Sequence, residues 1–333
     1  MGIVVFTVAL LGFSAFRHGA QVPLPVQGTL MAETTTTPVI QDDQSIGTAK
    51  VSEGNWAQNL LSMEASSARA VQNTQQGQDP DWPMEDESTD DDSQQPHQDQ
   101  TPIIPIVTRG EGPVVMLYST HSNESYRKVD GQNYKESSNS RTMDTNYNIL
   151  RVNSELSGLL SKTYKLPIYF DNTDNELGKY YTTSYERSLA RIEISKKQHE
   201  TLDVFFDIHR DSSGPAGVGD VVNVDGKACA KIMFVIGTGE GKTGQGFKVR
   251  PNWQSNKKLA DAIAKELNAM APGLCRGVRV KTGRYNQHVS DAAVAVEMGH
   301  NQNTLQEVLN SVPYLAKAMA TVLTRDLGVQ PTP

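Results

Sequence analysis

The pattern of hydrophobic and polar positions changes near residue 110. From there on, short apolar runs alternate with stretches in which apolar residues recur every three or four positions. Continuous apolar runs are typical of parallel strands covered on both faces, and the wider spacing predicts amphipathic helices. Strands alternating with helices indicate an α/β domain, with a mostly parallel open sheet flanked by helices on both faces. The predicted strands are 114–118, 166–170, 203–208, 278–280 and 292–297, and the predicted helices are 149–160, 180–197 and 255–270.

Two local motifs support this arrangement. Asp225 and Gly226 lie between two apolar runs, and such a pair supplies the positive φ values that a two-residue hairpin turn needs. Thr304 and Glu307 have the spacing of a capping box, which predicts that the last helix begins there. We expect the α/β domain to extend over residues 110–327, followed by a flexible C-terminus at 328–333.

The N-terminal region has a different composition. Residues 3–16 are apolar and uncharged, which is short of the roughly 20 residues that a membrane-spanning helix needs. No Lys or Arg precedes this run, and no small-x-small cleavage site follows it. We expect residues 1–20 to be an uncleaved membrane anchor whose cytoplasmic tip is missing, with a cleaved signal or a buried strand as the alternatives. The chain after Arg17 would then lie outside the cytoplasm.

Residues 21–109 are predicted to be a disordered tether. The segment is rich in Thr, Gln, Ser, Asp and Pro, a composition that buries too little apolar surface to offset the entropy of ordering. Nine acidic residues and no Lys or Arg lie between Arg69 and Arg109, and the net charge of the chain is -7, so the rest carries about +2. The acidity therefore belongs to the tether, and neither part has the basic field expected for nucleic-acid binding.

Residues able to bind a metal follow three of the predicted strands. His121 and Glu124 come after the first strand, His209 follows the strand at 203–208, and Glu297 ends the strand at 292–297. Ligands of open α/β sheets bind at the carboxyl ends of the strands, so these side chains are expected to meet. Two imidazoles and one carboxylate suit zinc. We predict His121, Glu124 and His209 as zinc ligands, and Glu297 as the catalytic residue that carries a proton from water to the leaving amine.

Other motifs do not support competing functions. Gly239, Gly241 and Gly244 form G-x-G-x-x-G after a strand, but no helix begins directly after them, as dinucleotide binding would require. Cys229 and Cys275 lack the paired C-x-x-C elements of a thiolate zinc site. We expect both cysteines to be core residues rather than a disulfide.

Six sequence blocks, in this order and spacing, resemble the stage II sporulation protein P family. They are LYSTHSNESY, DIHRDS, AKIMFVIG, PNWQSN, RYNQ and VEMGHNQNTLQEVLNS, and they span roughly residues 110–325. The resemblance implies a membrane-anchored cell-wall hydrolase of endospore-forming bacteria, with a three-layer sandwich like that of amidases and zinc exopeptidases. It also implies Zn²⁺ as the cofactor, the same three ligands and the same catalytic glutamate.

The implied activity is that of an N-acetylmuramoyl-L-alanine amidase, which cuts stem peptides from peptidoglycan, with endopeptidase activity on peptide cross-links. The implied role is peptidoglycan degradation during engulfment, between the mother-cell and forespore membranes. Stage II sporulation proteins D and M are the implied partners. A zinc peptidase of the carboxypeptidase type and a catalytically impaired peptidoglycan-binding scaffold are the alternatives.

One residue departs from the family pattern. Ser119 stands where the family commonly has the first histidine of Y-H-T-H. If that histidine does essential work in the family, the activity of this chain would differ. We therefore treat Ser119 as a candidate substrate-binding position.

Two further residues are candidate substrate contacts. Arg210 follows His209 directly and would bind a carboxylate of the stem peptide through two parallel hydrogen bonds, a bidentate fork. The alternative is an ion pair with Asp211. Asn286, in RYNQ, would line the substrate groove. Asp207 or Asp211 would hold the second nitrogen of a ligand histidine, because such partners fix the tautomer and orientation of the ring.

Overall fold

The computed structural model describes residues 110–176, 183–212, 217–241 and 248–333. The predicted anchor at 1–20 and the predicted tether at 21–109 lie outside the described residues. Within the described ranges, no helix is both long enough and apolar enough to cross a membrane.

Six strands form one sheet in the order β2-β1-β3-β8-β6-β7. Every neighbouring pair is parallel except β8 with β6, which is antiparallel. The prediction of a mostly parallel sheet is therefore confirmed. The strands are β1 Val115–Tyr118, β2 Ile168–Phe170, β3 Val204–Asp211, β6 Ile232–Gly237, β7 Cys275–Lys281 and β8 Ala293–His300.

Helices cover both faces of this sheet. The alternation of side chains along a strand sends Val204, Phe206 and Ile208 of β3 to one face, where they join the large core cluster under α1, α3 and α4. Phe205 points to the opposite face and packs in a second cluster with Ile192 of α2. The helices are α1 Ile149–Gly158, α2 Ser184–Gln198, α3 Trp253–Met270 and α4 Leu305–Arg325.

The local motifs form as predicted. A separate two-stranded hairpin joins β4 Val221–Val224 to β5 Lys227–Ala230, with Asp225 at φ 50° and Gly226 at φ 78°. The side chain of Thr304 accepts a bond from the backbone of Glu307, and the Glu307 side chain accepts from the backbone of Thr304, which completes the capping box. Both cysteines are free and buried.

The ends of four elements differ from the prediction. Strand β8 does not end at Glu297 but continues to His300, and β3 continues past Ile208 to Asp211. The reason is that the β3–β8 ladder pairs His209 with Glu297 and, after a register shift, Asp211 with His300. Helix α1 continues as a π-helical turn, Leu159–Thr163, and α2 begins at Ser184, while part of its predicted start lies outside the described residues.

Candidate active site

The candidate site lies on the face of the sheet that α2 covers. Asp207 and His209 of β3 point to this face because they alternate with the core residues Phe206 and Ile208. His209 pairs in register with Glu297 on β8, so the two side chains are neighbours on the same face. His209 and Glu297 were predicted to meet at the ends of two strands. They do meet, but inside two adjacent strands that both continue past them.

Asp207 holds the imidazole of His209. Its Oδ1 lies 3.0 Å from His209 Nε2 in a buried ion pair. Asp207 is 2 % exposed and also accepts bonds from the backbone N–H and the hydroxyl of Thr120, at 2.8 and 2.6 Å. Burial disfavours the charged imidazolium, but the negative charges of Asp207, Glu124 and Glu297 prevail and raise the pKa of His209.

His121 is held in a similar way by a residue that the sequence did not single out. Its Nδ1 lies 3.0 Å from Glu176 Oε1 and 3.0 Å from the Ser184 hydroxyl, at the start of α2. Burial disfavours the ionised form of Glu176, yet His121 and Arg141 reverse that effect and lower the pKa of its carboxyl. An ionised carboxylate only accepts hydrogen bonds, so Nδ1 is the nitrogen of His121 that donates to Glu176.

Glu124 connects the first loop to β3. Its Oε2 accepts a 3.0 Å bond from the backbone N–H of Arg210 and lies 3.8 Å from His209 Nδ1. The guanidinium of Arg141 contacts both Glu124 and Glu176. The ring centroids of His121 and His209 are 5.3 Å apart. The loop after β1 thus places His121 and Glu124 beside His209.

Glu297 has an environment unlike that of the other carboxylates. The residue is half-buried, while its Oε2 is closed to solvent and has no hydrogen-bond partner. Burial raises the pKa of Glu297 to about 8, with the charges of Glu124 and Asp211 adding to the effect and His209 opposing it. A carboxyl group of this kind can both hold and release a proton near neutral pH.

The donor set agrees with zinc in chemistry, although it is not gathered into a finished metal cluster. No group of three His, Cys, Asp or Glu side chains in the described part of the chain is placed to hold a metal ion. His209 Nδ1 and Glu124 Oε2 are nevertheless 3.8 Å apart, close to the roughly 3.4 Å that separates two donors on one tetrahedral zinc. Each imidazole also has its other nitrogen against a buried carboxylate, the usual outer partner of a metal-binding histidine.

The contacts of Arg210 differ from both hypotheses drawn from the sequence, a fork around a substrate carboxylate and an ion pair with Asp211. Its Nε donates to the carbonyl of Ser125 at 2.9 Å, one terminal nitrogen donates to the carbonyl of Ser140 at 2.8 Å, and the other lies 3.4 Å from the backbone carbonyl of Asp211. The side chain is buried, and Asp211 forms its ion pair with Arg276. The guanidinium therefore fastens the first loop to β3, and the prediction of a fork around a substrate carboxylate does not match these contacts.

Ser119 and Asn286 are both buried. Ser119 is fully buried, and its hydroxyl accepts a 3.2 Å bond from Asn153 of α1, on the face of the sheet away from His209. The Asn286 amide donates to the carbonyl of Tyr185 at 2.8 Å and to the hydroxyl of Ser188 at 3.0 Å. Neither side chain is therefore placed to line an open groove. For Asn286 this differs from the prediction that it would line the substrate groove.

Two residues near the histidines escaped the sequence analysis. Glu176 follows β2, which lies beside β1 in the sheet. Ligands bind at the carboxyl ends of strands, so this rule could have indicated Glu176 from the sequence. Tyr185, on α2, lies with its ring centroid 5.4 Å from that of His121 and 6.3 Å from that of His209. No signal in the sequence indicated Tyr185, because its position depends on how α2 packs on the sheet.

The fold and site together define an α/β domain with a cluster of histidines and carboxylates at one end of its sheet. The chain belongs to the stage II sporulation protein P family, whose model matches residues 35–320. The resemblance of the six blocks to this family is thereby confirmed.

Comparison with individual proteins gives the following similarities. The chain is 28% identical over 214 residues to stage II sporulation protein P of Bacillus subtilis, which covers 61% of this chain and 49% of that protein. The chain therefore spans about half the length of the curated relative that it matches.

Two solved structures are among those to which the chain is similar. One is the catalytic domain of CwlV, an N-acetylmuramoyl-L-alanine amidase from Bacillus (Paenibacillus) polymyxa var. colistinus, with 16% identity, a TM-score of 0.39, and coverage of 66% of this chain and 100% of that chain. The other is the CwlD amidase of Clostridioides difficile in complex with the GerS lipoprotein, with 16% identity, a TM-score of 0.42 and the same coverage. At this distance neither structure assigns a role to any residue of the chain.

Proposed function

We propose that the chain is a zinc-dependent peptidoglycan hydrolase of sporulation, which cleaves the amide between N-acetylmuramic acid and the stem peptide and also cuts peptide cross-links. The observation that carries this proposal is the clustering of His121, Glu124 and His209 beside Glu297 on one face of the sheet. Membership of a sporulation family supplies the biological setting. Peptidoglycan is the substrate that fits both.

His121, Glu124 and His209 would hold the zinc ion. His121 would use Nε2, because Glu176 fixes the proton on Nδ1, and His209 would use Nδ1, because Asp207 lies against Nε2. When bound, zinc supplies Lewis acidity toward the substrate carbonyl and makes a water more acidic. Asp207 and Glu176 keep the two rings oriented.

Glu297 would move the proton. The positive charge of a bound ion would favour its carboxylate form, which accepts a proton from water. The closed environment of Oε2 favours the neutral form, which delivers that proton to the nitrogen of the leaving stem peptide. The raised pKa of Glu297 suits a group that takes and gives a proton in the same cycle.

The setting of the enzyme is part of the proposal. A catalytic domain at 110–327 would be joined by the tether at 21–109 to a membrane anchor at 1–20, with the domain outside the cytoplasm between the mother-cell and forespore membranes. Stage II sporulation proteins D and M would be its partners. The supports are the apolar run at 3–16, the composition of the tether and the family match.

The test is digestion of purified peptidoglycan by the full chain, with and without a chelator, followed by mass spectrometry of the fragments. We expect free stem peptides, split cross-links, and loss of both products with the chelator. Glu297→Gln should lower the rate by about 10²–10⁴-fold, the usual contribution of a general acid–base group. Glu155→Gln is the matched control, because Glu155 is exposed on α1, where it pairs with Arg151.

Three outcomes would contradict the proposal or one of its parts. Zinc-loaded protein that releases no fragment would refute the hydrolase as a whole. Equal rates for the parent and Glu297→Gln would refute the role of Glu297. Release of stem peptides without split cross-links would refute the endopeptidase activity alone.

A further inference from the structure

We propose that Tyr285 is a specificity-determining residue, whose ring is the platform on which a sugar ring of the substrate packs beside Glu297. This inference rests on the proposed function, because it takes the substrate to be a glycan strand that carries peptides. It concerns a residue of the RYNQ block for which neither the zinc site nor the proton transfer has a use.

The ring of Tyr285 packs directly against the backbone of two glycines, Gly237 and Gly283, which together are called its seat below. A Cβ atom on Gly283 would lie 2.5 Å from Cζ of Tyr285, and one on Gly237 would lie 2.6 Å from its Cδ2. Real Cβ contacts are not this short, so a Cβ atom at Gly283 would displace the ring, and one at Gly237 would meet both the ring and the backbone oxygen of Gly283. The chain therefore reserves a place for this ring against its backbone.

The backbone that carries the ring is held in an uncommon conformation. Tyr285 and Asn286 have φ values of 48° and 54°, in the left-handed region that residues other than glycine seldom adopt. Such strain persists where the surroundings enforce it, and it is frequent at functional sites. The enforcing contacts are the two bonds from the Asn286 amide to Tyr185 and Ser188, which fasten this turn to α2.

The seat puts the ring next to the proposed catalytic residue. Tyr285 packs against Met233, Val235 and Ala295, and Ala295 is two residues before Glu297 on the same face of β8. Burial and the charge of Glu297 raise the pKa of Tyr285 to about 12, in agreement with a phenol close to that carboxylate. The residue remains half-buried rather than enclosed.

The arrangement of rings indicates the chemistry of the ligand. The centroid of the Tyr185 ring lies 6.0 Å from that of Tyr285 and 6.3 Å from that of His209, so Tyr185 is a neighbour of both rings. Rigid aromatic rings give large apolar contact area, which suits the C–H face of a pyranose better than a charged stem peptide. In the proposed substrate such a ring lies on one side of the amide that is cut, joined to it through the lactyl group, and the stem peptide lies on the other side.

Binding measurements can separate the sugar from the peptide. The full chain carrying Glu297→Gln is titrated with peptide-free glycan strands and, separately, with a free stem peptide. Tyr285→Ala should weaken binding of the glycan strands about tenfold, the upper end for an aromatic contact, and should leave binding of the peptide within about twofold. Tyr285→Phe should bind both ligands like the parent, because it keeps the ring.

A second variant guards against misfolding of Tyr285→Ala. Gly283→Ala keeps the tyrosine but displaces its ring from the seat, so it should also weaken binding of the strands. Tyr314→Ala is the matched control, because Tyr314 is a half-buried tyrosine of α4 that bonds to Asp225, away from the site. It should change neither affinity.

The inference is overturned if the parent does not bind glycan strands, if folded Tyr285→Ala and Gly283→Ala bind them like the parent, or if the peptide affinity falls as much as the glycan affinity. These outcomes are independent of the digestion assay. A chain that binds strands through Tyr285 but releases no fragments would refute the proposed hydrolase and leave the platform intact. If the parent digests peptidoglycan but Tyr285→Ala binds glycan strands like the parent, the platform is refuted and the proposed hydrolase stands.

Discussion

Replacement of Arg210 by methionine tests whether this side chain supports the site or binds the substrate. Methionine keeps an apolar stem of similar length but removes the guanidinium. The structure predicts a loss of stability, because the buried guanidinium is held by the carbonyls of Ser125 and Ser140, and those two bonds fasten the loop that carries His121 and Glu124 to β3.

The magnitude follows from the contacts. The two good bonds come from a charged donor, and each bond of this type contributes about 1.5–3 kcal/mol to stability. The longer contact to the Asp211 carbonyl, at 3.4 Å, adds little. Because methionine regains part of the packing, we expect Arg210→Met to lower the free energy of unfolding by about 3 kcal/mol. For a domain of this size that corresponds to a fall in Tm of roughly 6–12 °C.

The assay is thermal and urea unfolding, together with KM for peptidoglycan fragments on the fraction that remains folded. Arg210→Lys should lie between the parent and Arg210→Met, because it keeps the positive charge but places its donors on a single nitrogen. Arg279→Met is the control, since Arg279 is exposed on the edge strand β7, and it should change stability by less than about 0.5 kcal/mol. An unchanged Tm for Arg210→Met, with KM raised tenfold or more, would refute this reasoning and restore the substrate fork.

Two further predictions concern stability. Ser119→Ala should cost about 1 kcal/mol, because the Asn153 amide loses its acceptor, and should leave the digestion rate unchanged; a tenfold slower digestion at unchanged stability would contradict this. Burial, with the charges of Arg284 and Lys196, lowers the pKa of His288 from 6.5 to about 4. Between those pH values the unfolded chain binds a proton that the folded chain does not, so stability falls as the pH is lowered. His288→Gln should make that fall shallower in urea unfolding at pH 7 and pH 4.5, and an identical pH dependence would contradict the assignment.

The apolar pattern predicts most of the fold because burial on both faces leaves a direct trace in the sequence. The runs at 114–118, 203–208 and 292–297 all became strands of the main sheet, and the Asp225–Gly226 turn and the capping box formed as expected. The strand ends were less predictable. Glu297 is a polar residue inside a strand, and the pairing of β8 with β3, which carries the strand past it, has no signature in the sequence of either strand.

The candidate site was only partly predictable for a related reason. His121, Glu124 and His209 could be proposed because they follow apolar runs, and the structure places them side by side. The role of Arg210 depends on which carbonyls surround it, and that of Glu176 depends on β2 lying beside β1. Contacts of this kind arise between segments far apart in the chain, so neighbouring residues in the sequence do not indicate them.

The position of β8 in the sheet has a consequence for how the chain acquires its site during synthesis. This strand is the last of the six in the sequence, yet it lies between β3 and β6 and pairs with both. A nascent chain that ends before residue 293 leaves those two strands unjoined, and pairing over such sequence distances is slow. The histidines therefore meet Glu297 only after the strand Ala293–His300 has left the ribosome, so a chain that ends before this strand has no assembled site.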